Sequence, residues 1–459
     1  MTRGNSQPEH KAIVLTALDQ GRQDHQELSE HLVDMRAADI AELLEELVDQ
    51  RDDMADALVL LESLPLIRRS HVYGHLPKWL QKTLVVQLSD QALLEILEEM
   101  SGDDRADLYH LLEIDRREEL LRRMAHRKRE ELRRLASYQE GTAGAVMTSD
   151  YVAIPSGLTT AQALMRVRQT APDAETVYQI YILDDRGQLA GTWSLRQLLI
   201  ARPSAYIDDL MIKDVIYTRV DTRREEVARL VARYDLLAVP VVDEEERMVG
   251  IVTHDDVLDV VQAEATEDIH KGASIGNLEN GVGRTSLWSL YRKRIVWLVL
   301  LVFGNLFSGA GIAYFEDLIA AQVALVFFLP LLIDSGGNAG AQASTLTVRG
   351  LATGDIAFKD WGKLLGRELL IAAGLGLSMA LAVSPIGFMR GGEMLMLVVA
   401  MSMTIIVLAG SLLGLCLPFV LDRLGWDPAT ASGPLVTTLI DACGVVIYFG
   451  IASLVMAAI

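Results

Sequence analysis

The chain has 459 residues and is 51% hydrophobic, yet it carries 62 acidic against 42 basic side chains, a formal charge of −20. Beyond residue 290 stand nine Lys/Arg and ten Asp/Glu, so the first part holds −19 of that charge and the second is nearly neutral and strongly apolar. This asymmetry excludes a single soluble globule, a collagen-like chain and a disulfide scaffold, argues against nucleic acid as a partner, and leaves room for about three domains at roughly 100–200 residues each.

The segment Met1 to Leu15 is charged and has no sustained apolar run, so no cleavable signal is expected and the N-terminus should stay in the cytoplasm. Residues 8 to 136 read as consecutive short helices. Apolar residues recur at helical spacing, as in Leu93, Leu94, Leu97 and Met100, and the polar breaks Ser89-Asp90 and Ser101-Gly102-Asp103 have the form of N-caps. An all-α superhelical domain follows. The basic run within 116–134 is interleaved with Glu118, Glu119, Glu130 and Glu131, so it suits either a solvated helix face or an anionic neighbour.

Residues 141 to 262 contain an internal repeat. One copy begins at Val146-Met147 and runs strand, helix, strand, turn at 184–187, strand, helix; the second begins at Leu210-Met211 and repeats the order through the helix that starts near Asp255. The pattern resembles a tandem cystathionine-β-synthase-type (CBS) regulatory pair. In such modules a Gly-x-x-Thr-x-x-Asp sequence can hold a nucleotide ribose. Gly250, Thr253 and Asp256 fit it, whereas the first copy has Gly191, Ser194 and Gln197. Adenine-nucleotide binding, ATP for instance, is the expectation this carries.

An acidic stretch then leads toward the apolar half, with Asp255, Asp256, Asp259, Glu264, Glu267 and Asp268 offset nearby only by Lys271. Like charges at helical spacing destabilise a helix. The stretch is therefore either a solvated connector or a helix bridged by a hard divalent cation, Mg²⁺ or Ca²⁺, which carboxylate oxygens suit.

Five stretches are long and apolar enough to cross a bilayer: 295–315, 318–333 with a polar continuation, 369–389, 394–421 and 434–459. With the first half cytoplasmic, the inner loops receive Arg292, Lys293, Arg294, Arg349, Lys359, Lys363, Arg367 and Arg423, and the outer side only Arg390. The positive-inside rule then puts the C-terminus outside. Gly410 and Gly414 form a G-x-x-x-G, read as a helix-packing face. Both cysteines, Cys416 and Cys443, lie in apolar stretches and read as lipid- or core-facing.

Asp441 is the only acid of the fifth span, seven residues past Pro434 and hence about 10 Å along the helix. An ionisable group there is costly and by default functional. Thr437 and Thr438 precede it by one turn. A wide site of carboxylates and hydroxyls can recognise a hydrated divalent cation through its water shell. In the second span, Gly336-Gly337-Asn338 reads as a helix break that, with Gln342, lines water or protein, or else as a simple kink.

The same residues bear on three rival functions. Asp334-Ser335-Gly336 has the form of an aspartic peptidase motif that could pair with Asp441, but no second copy follows and Ala442 succeeds Asp441. A CBS-gated anion carrier would want an intramembrane Arg or Lys, and the spans carry none. Co²⁺, Mn²⁺ or Ni²⁺ as the physiological ion is not excluded by carboxylate ligands.

Taken together, Tyr234-Asp235-Leu236-Leu237, Pro240 to Asp243, Thr253 to Ile269 (THDDVLDVVQAEATEDI), Pro330 to Gln342 (PLLIDSGGNAGAQ) and Pro434 to Gly444 (PLVTTLIDACG) resemble the MgtE-type magnesium channels. The resemblance covers nearly the whole chain. It implies a multidomain protein: an all-α superhelical N-domain (1–140), an α/β tandem CBS pair (141–205 and 206–262), an acidic plug helix (255–280) and an all-α five-helix transmembrane domain (285–459). It further implies no enzyme but a homodimeric Mg²⁺ channel of the inner cell membrane, with an ion path lined by the second and fifth spans and a cytoplasmic assembly that closes it when Mg²⁺ is abundant. By the same resemblance Asp441 is the pore acid, with Asn338, Gln342, Thr437 and Thr438 lining the path. Asp256, Asp259, Glu264, Glu267 and Asp268 belong to the plug, Asp235 and Glu225 to regulatory-ion positions of the second CBS copy, and Asp103 and Asp107 to the N-domain side of the sensor. Asp334 departs from the family pattern, where a small polar residue is expected, and so bears on the charge of the inner pore entrance.

Overall fold

A computed structural model describes residues 7–19, 31–51, 54–276, 278, 281–430 and 433–458. The chain divides into two compact units, Met1–Gln262 and Ala263–Ile459.

The first unit opens with the helices α1 (Gln7–Asp19), α2 (Ala37–Arg51), α3 (Met54–Glu62), α4 (Leu66–Gly74), α5 (Lys78–Gln87), α6 (Asp90–Glu99), α7 (Gly102–Leu111), α8 (Ile114–Arg123) and α9 (His126–Leu135). From α3 onward they follow a twelve-residue period. Leu64, Leu76, Leu88, Met100, Leu112 and Met124 recur at that spacing, and all are buried. Leu88, Met100, Leu112 and Met124 are extended residues that end one helix and turn the chain into the next.

Each helix end leaves carbonyls without intrahelical partners, and a donor five residues past the buried residue satisfies them. Arg69 donates to Leu64 O at 3.2 Å, Gln81 to Leu76 O at 3.0 Å, Arg105 to Met100 O at 2.6 Å and Arg117 to Leu112 O at 2.8 Å. Arg116 adds a clamp on Val85 O, Leu88 O and the Asp90 carboxylate. Part of the basic run is thus neither a plain solvated face nor a lipid contact but helix capping within the superhelix. Ser89 caps α6, accepting from Ala92 N at 3.2 Å, as its position in the sequence predicts.

Two three-stranded sheets follow with one topology. The first orders β1 (Tyr151–Pro155), β2 (Thr176–Leu183) and β3 (Leu189–Ser194); the second orders β4 (Thr218–Arg219), β5 (Ala238–Val242) and β6 (Met248–Thr253). In each, the first pair is parallel and the second antiparallel. Helices α10 (Thr160–Thr170), α11 (Leu195–Ile200) and α12 (Ile207–Leu210) accompany the first copy, and α13 (Arg224–Tyr234) the second.

The copies exchange their leading segments. Thr148 pairs with Ile251 in the second sheet, with both backbone bonds at 2.9 Å, and Ile212 pairs with Thr192 in the first, likewise at 2.9 Å. Gly250 and Gly191 make this possible. A Cβ at Gly250 would stand 2.7 Å from Thr148 O, and one at Gly191 3.1 Å from Ile212 O. One buried cluster runs from the α-helical leucines through Ala143 and Met147 to Val227, Val252 and Val260, so the superhelix and the second copy share a core. The first copy keeps its own, around Ile180, Ile182 and Trp193.

Helix α14 (His254–Gly272) carries the chain out of the first unit. It ends eight residues short of the expected 280, at Gly272, just before Ser274 with φ 57°.

In the second unit, after the short α15 (Gly281–Arg284), come α16 (Leu287–Tyr314), α17 (Glu316–Ala321), α18 (Ala324–Thr353), α19 (Trp361–Arg423) and α20 (Gly433–Ala458). The 63-residue α19 is two spans folded on each other at Gly391 and Gly392, the latter at φ 71°. Its halves run antiparallel: Gly376 lies against Thr404, Gly387 against Met396, and Ser411 hydrogen-bonds Glu368. The five expected spans are therefore present as α16, α18, the two halves of α19, and α20.

The expected break at Gly336-Gly337-Asn338 does not form, and α18 continues through it. Those glycines serve close approach instead. A Cβ at Gly410 would stand 2.2 Å from Gly336 O and one at Gly414 2.0 Å from Gly340 O, so two small-residue stripes pack backbone to backbone.

Candidate functional site

In the first unit, acids from three parts of the chain converge. Asp103 and Asp104 open α7, Glu175 immediately precedes β2 and Asp256 lies in the first turn of α14. Burial raises all four carboxyl pKa values, and their mutual repulsion adds to it. Asp104 is pushed up to about 7, Glu175 to about 8 and Asp256 to about 9, and the charge of Asp103 acts on each of the three. Asp103 Oδ1 is buried with no hydrogen-bond partner. A carboxylate oxygen left without a donor among further acids is a hard-oxygen environment, and the donor chemistry fits Mg²⁺.

Among the described residues no three metal-ligating side chains close on one point as a ready ligand set. The Ser101 hydroxyl beside Asp103 and Asp104 opposes their shifts, as the Thr253 hydrogen bond does for Asp256.

The sequence reading of Asp103 and Asp256 is thus brought to one place, and Asp104 and Glu175 are additions to it. Asp107 is exposed and paired with Lys78 at 3.1 Å. Asp259 is exposed and close enough for its charge to act on Asp104. Glu225 and Asp235 stand at opposite ends of α13, about 15 Å apart at 1.5 Å per residue, too far to share one ion within the chain. Glu225 lies 3.8 Å from Arg224, and Asp235 caps the helix in the left-handed conformation at φ 50°.

The Gly-x-x-Thr-x-x-Asp motif has a local structural role. Thr253 Oγ1 donates to Asp256 at 2.5 Å, with Thr253 N at 3.4 Å, fastening the start of α14. Ser194 and Gln197 form the corresponding capping box in the first copy. Gln197 thus keeps the cap that an acid gives the second copy.

The far end of α14 belongs to the second unit. Lys271 bridges Glu267 at 2.6 Å and Asp427, which lies before the fifth span, at 2.5 Å. These bonds outweigh burial and raise the lysine pKa. Asp268, half-buried beside Asp427, is pushed up by burial first and by that charge second. Glu264 lies half-buried on the same stretch.

Between the first, second and fifth spans opens a cavity of about 940 Å³, lined among others by Asn305, Ser308, Asp334, Ser335 and Asp441. Ser308 Oγ donates to the Asp441 carbonyl at 3.2 Å and Ser335 Oγ to Leu331 O at 2.6 Å. Thr437 and Thr438 turn their hydroxyls back to Pro434 O at 3.0 and 2.9 Å, while their methyls pack against Gly337 and Gly304. Asn338 and Gln342 lie on the exposed side of α18. With Asp334 they recur every fourth residue, a polar stripe on a helix otherwise fit for lipid.

The chain matches the MgtE family profile, described as a divalent cation transporter, over residues 329–451, the MgtE intracellular N domain over 35–141 and the CBS domain over 207–263. It is 43% identical to the magnesium transporter MgtE of Thermus thermophilus over 72% of this chain and 74% of that protein. It is 35% identical to that of Bacillus subtilis over 83% and 84%. Its fold is similar to a crystal structure of the cytosolic domain of the Mg²⁺ channel MgtE in complex with ATP, with TM-score 0.51 and 40% identity, covering 55% of this chain and 99% of that one. With the family's N domain, CBS domain and membrane helices found here in that order, and with identity of this extent along most of the chain, the protein belongs to the MgtE family of membrane cation transporters.

Proposed function

We propose that the protein is a Mg²⁺ channel whose path runs past Asp441 and whose cytoplasmic unit closes it when Mg²⁺ is abundant. One observation carries the reading: the only acid of the fifth span lines an open groove of about 940 Å³ between the first, second and fifth spans, where water and a hydrated ion have access to it. Mg²⁺ is the substrate here. The polar stripe Asp334, Asn338 and Gln342 is exposed at membrane depth, where it needs water or protein beside it. A second copy of the chain supplies that cover, making a homodimer with the path between protomers and two Asp441 side chains facing it. Thr437 and Thr438, with hydroxyls turned to their own helix, set helix contacts rather than ion contacts.

The sensor is the acid cluster. Asp103, Asp104, Glu175 and Asp256 would hold a regulatory Mg²⁺, which supplies the charge that cancels their repulsion. Asp107 and Asp259 flank it, and Glu225, Asp235, Glu264, Glu267 and Asp268 offer further weak sites. Moving a gate from 1:99 to 99:1 takes about 5.5 kcal/mol of differential binding, which several sites of roughly 1 kcal/mol supply with a steep response. The excess of Lys and Arg in the loops on the side of the first unit supports a C-terminus outside.

A second reading concerns ATP. The structural relative was solved in complex with ATP, and the CBS pair here keeps Gly250, Thr253 and Asp256. Asp256 would then serve both nucleotide and ion.

Ion flux into liposomes holding the purified protein tests the assignment. Mg²⁺ uptake that Asp441→Ala removes supports it. Uptake of Co²⁺, Mn²⁺ or Ni²⁺ in preference to Mg²⁺ would move the substrate to another divalent cation.

A further inference from the structure

We propose that Asp334 is a second carboxylate of the ion path, standing at the depth of Asp441, so that each chain brings two negative charges to one level. The inference rests on the reading of the cavity as the ion path.

The depth follows from the packing of α18 against α20. A Cβ at Gly444 would stand 3.4 Å from Ile333, one at Gly336 3.0 Å from Ile440, one at Gly337 3.1 Å from Thr437 and one at Gly340 2.7 Å from Val436. These contacts fix an antiparallel register in which Asp334 falls level with Asp441, within about one residue rise of 1.5 Å. Asp334 is therefore not at the inner mouth, where its place in the sequence suggests it. It is well inside the second span, eleven residues into α18.

Three further observations agree. Both carboxylates line the one cavity. Among the described residues neither is ion-paired or hydrogen-bonded through its side chain, whereas the nearby Ser308 and Ser335 hydroxyls are satisfied by backbone carbonyls. Asp334 also heads the exposed stripe that continues through Asn338 and Gln342, so its side chain belongs to a polar track and not to a lone surface position.

An unpaired carboxylate at this depth is costly. Its chemistry fits a hydrated divalent cation, which gains from every carboxylate its water shell meets. For a doubly charged ion about 6 Å from a carboxylate in water, Coulomb's law gives about a tenfold change in affinity per carboxylate. The second acid thus raises the affinity of the path for its ion and lets it fill at lower outside concentration than a path with Asp441 alone.

The full-length protein in liposomes tests this with Mg²⁺ as the probe. Asp334→Asn should raise the half-saturating outside Mg²⁺ about tenfold while flux stays measurable, and Asp334→Glu should restore most of the lost affinity. The cytoplasmic Mg²⁺ that closes the channel should not move in either variant. An Asp334→Asn protein that saturates at the wild-type concentration overturns the proposal, as does loss of affinity in Asp334→Glu as deep as in Asp334→Asn, which would mark a steric role. Failure of the underlying reading looks different: Asp441→Asn would then carry wild-type flux.

Discussion

The protein gathers carboxylates in two regions and treats them in opposite ways. In the first unit Asp103, Asp104 and Asp256 are half-buried with the more exposed Glu175 near them, and lost hydration and mutual repulsion raise all four above the usual carboxylate range. In the second, Asp441 faces a cavity of about 940 Å³ beside one other acid. The first arrangement stores repulsion that a cation relieves, so occupancy changes how tightly the unit packs. The second leaves room for the ion's water, so occupancy need change nothing but the ion's position. Under the proposed function the same side chain would serve as switch or as path, according to how much space surrounds it.

The largest effect expected from breaking this contrast is at the path. Asp441→Ala should lower Mg²⁺ flux at least a hundredfold while leaving the assembled protein intact by size-exclusion chromatography, because the side chain faces a cavity and not a packed core.

A second test sharpens the switch. Carboxyl groups whose folded pKa is raised contribute stability that is present below their unfolded values, near 4, and is lost as pH rises toward about 9. Without Mg²⁺ the first unit should therefore loosen progressively between about pH 4 and 9. Protons compete with the cation, so the Mg²⁺ needed to protect a fragment of residues 1–270 from protease should fall as pH rises, by up to about tenfold per pH unit. A requirement independent of pH, or equal protection by Na⁺ at matched ionic strength, would return the acids to a solvated surface role.

A smaller effect belongs to Asp103, whose charge acts on three neighbours. Asp103→Asn should stabilise the Mg²⁺-free first unit by about 1 kcal/mol, or about 2–4 °C in Tm for a unit of this size, and weaken its response to Mg²⁺. Calorimetry with and without Mg²⁺ reads both. A lower Tm without Mg²⁺ would make Asp103 a structural residue.

Much of this was legible in the sequence, for physical reasons that also explain the misses. The charge split, the five apolar runs and the lone Asp441 are properties of composition and spacing, and the turn at Gly391-Gly392 carries its own signal. Asp256 is legible in the acidic stretch and in the Gly-x-x-Thr-x-x-Asp motif, whereas Asp103 is legible only through the family resemblance. Glu175 has no local signal at all, because what recruits it is the tertiary fold at the start of β2; Asp104, next to Asp103, was there to be noticed.

The strand order of the repeat was readable, but not the exchange of leading segments, since Met147 and Met211 precede their own copies in the chain while packing against Gly250 and Gly191 of the other. The superhelix could have been read more sharply. Buried residues every twelve positions from Leu64 to Met124, with Arg or Gln five residues behind several of them, form a period visible in the sequence. At Gly336 and Gly337 local propensity lost to packing, because Gly410 facing Gly336, Gly414 facing Gly340 and Thr437 against Gly337 reward a continuous helix. The hydroxyls of Thr437 and Thr438 bonded their own helix, the usual resource of such groups away from water.

The most direct test of the division between switch and path is to disable the switch and watch the path. Single-channel recordings of the Asp256→Asn/Asp259→Asn double variant, taken across a cytoplasmic Mg²⁺ titration, should show a channel of wild-type conductance that stays open at millimolar Mg²⁺, with each single variant closing at a raised concentration. A double variant that closes at the wild-type concentration, or one whose conductance falls, would contradict the assignment of these acids to the switch alone.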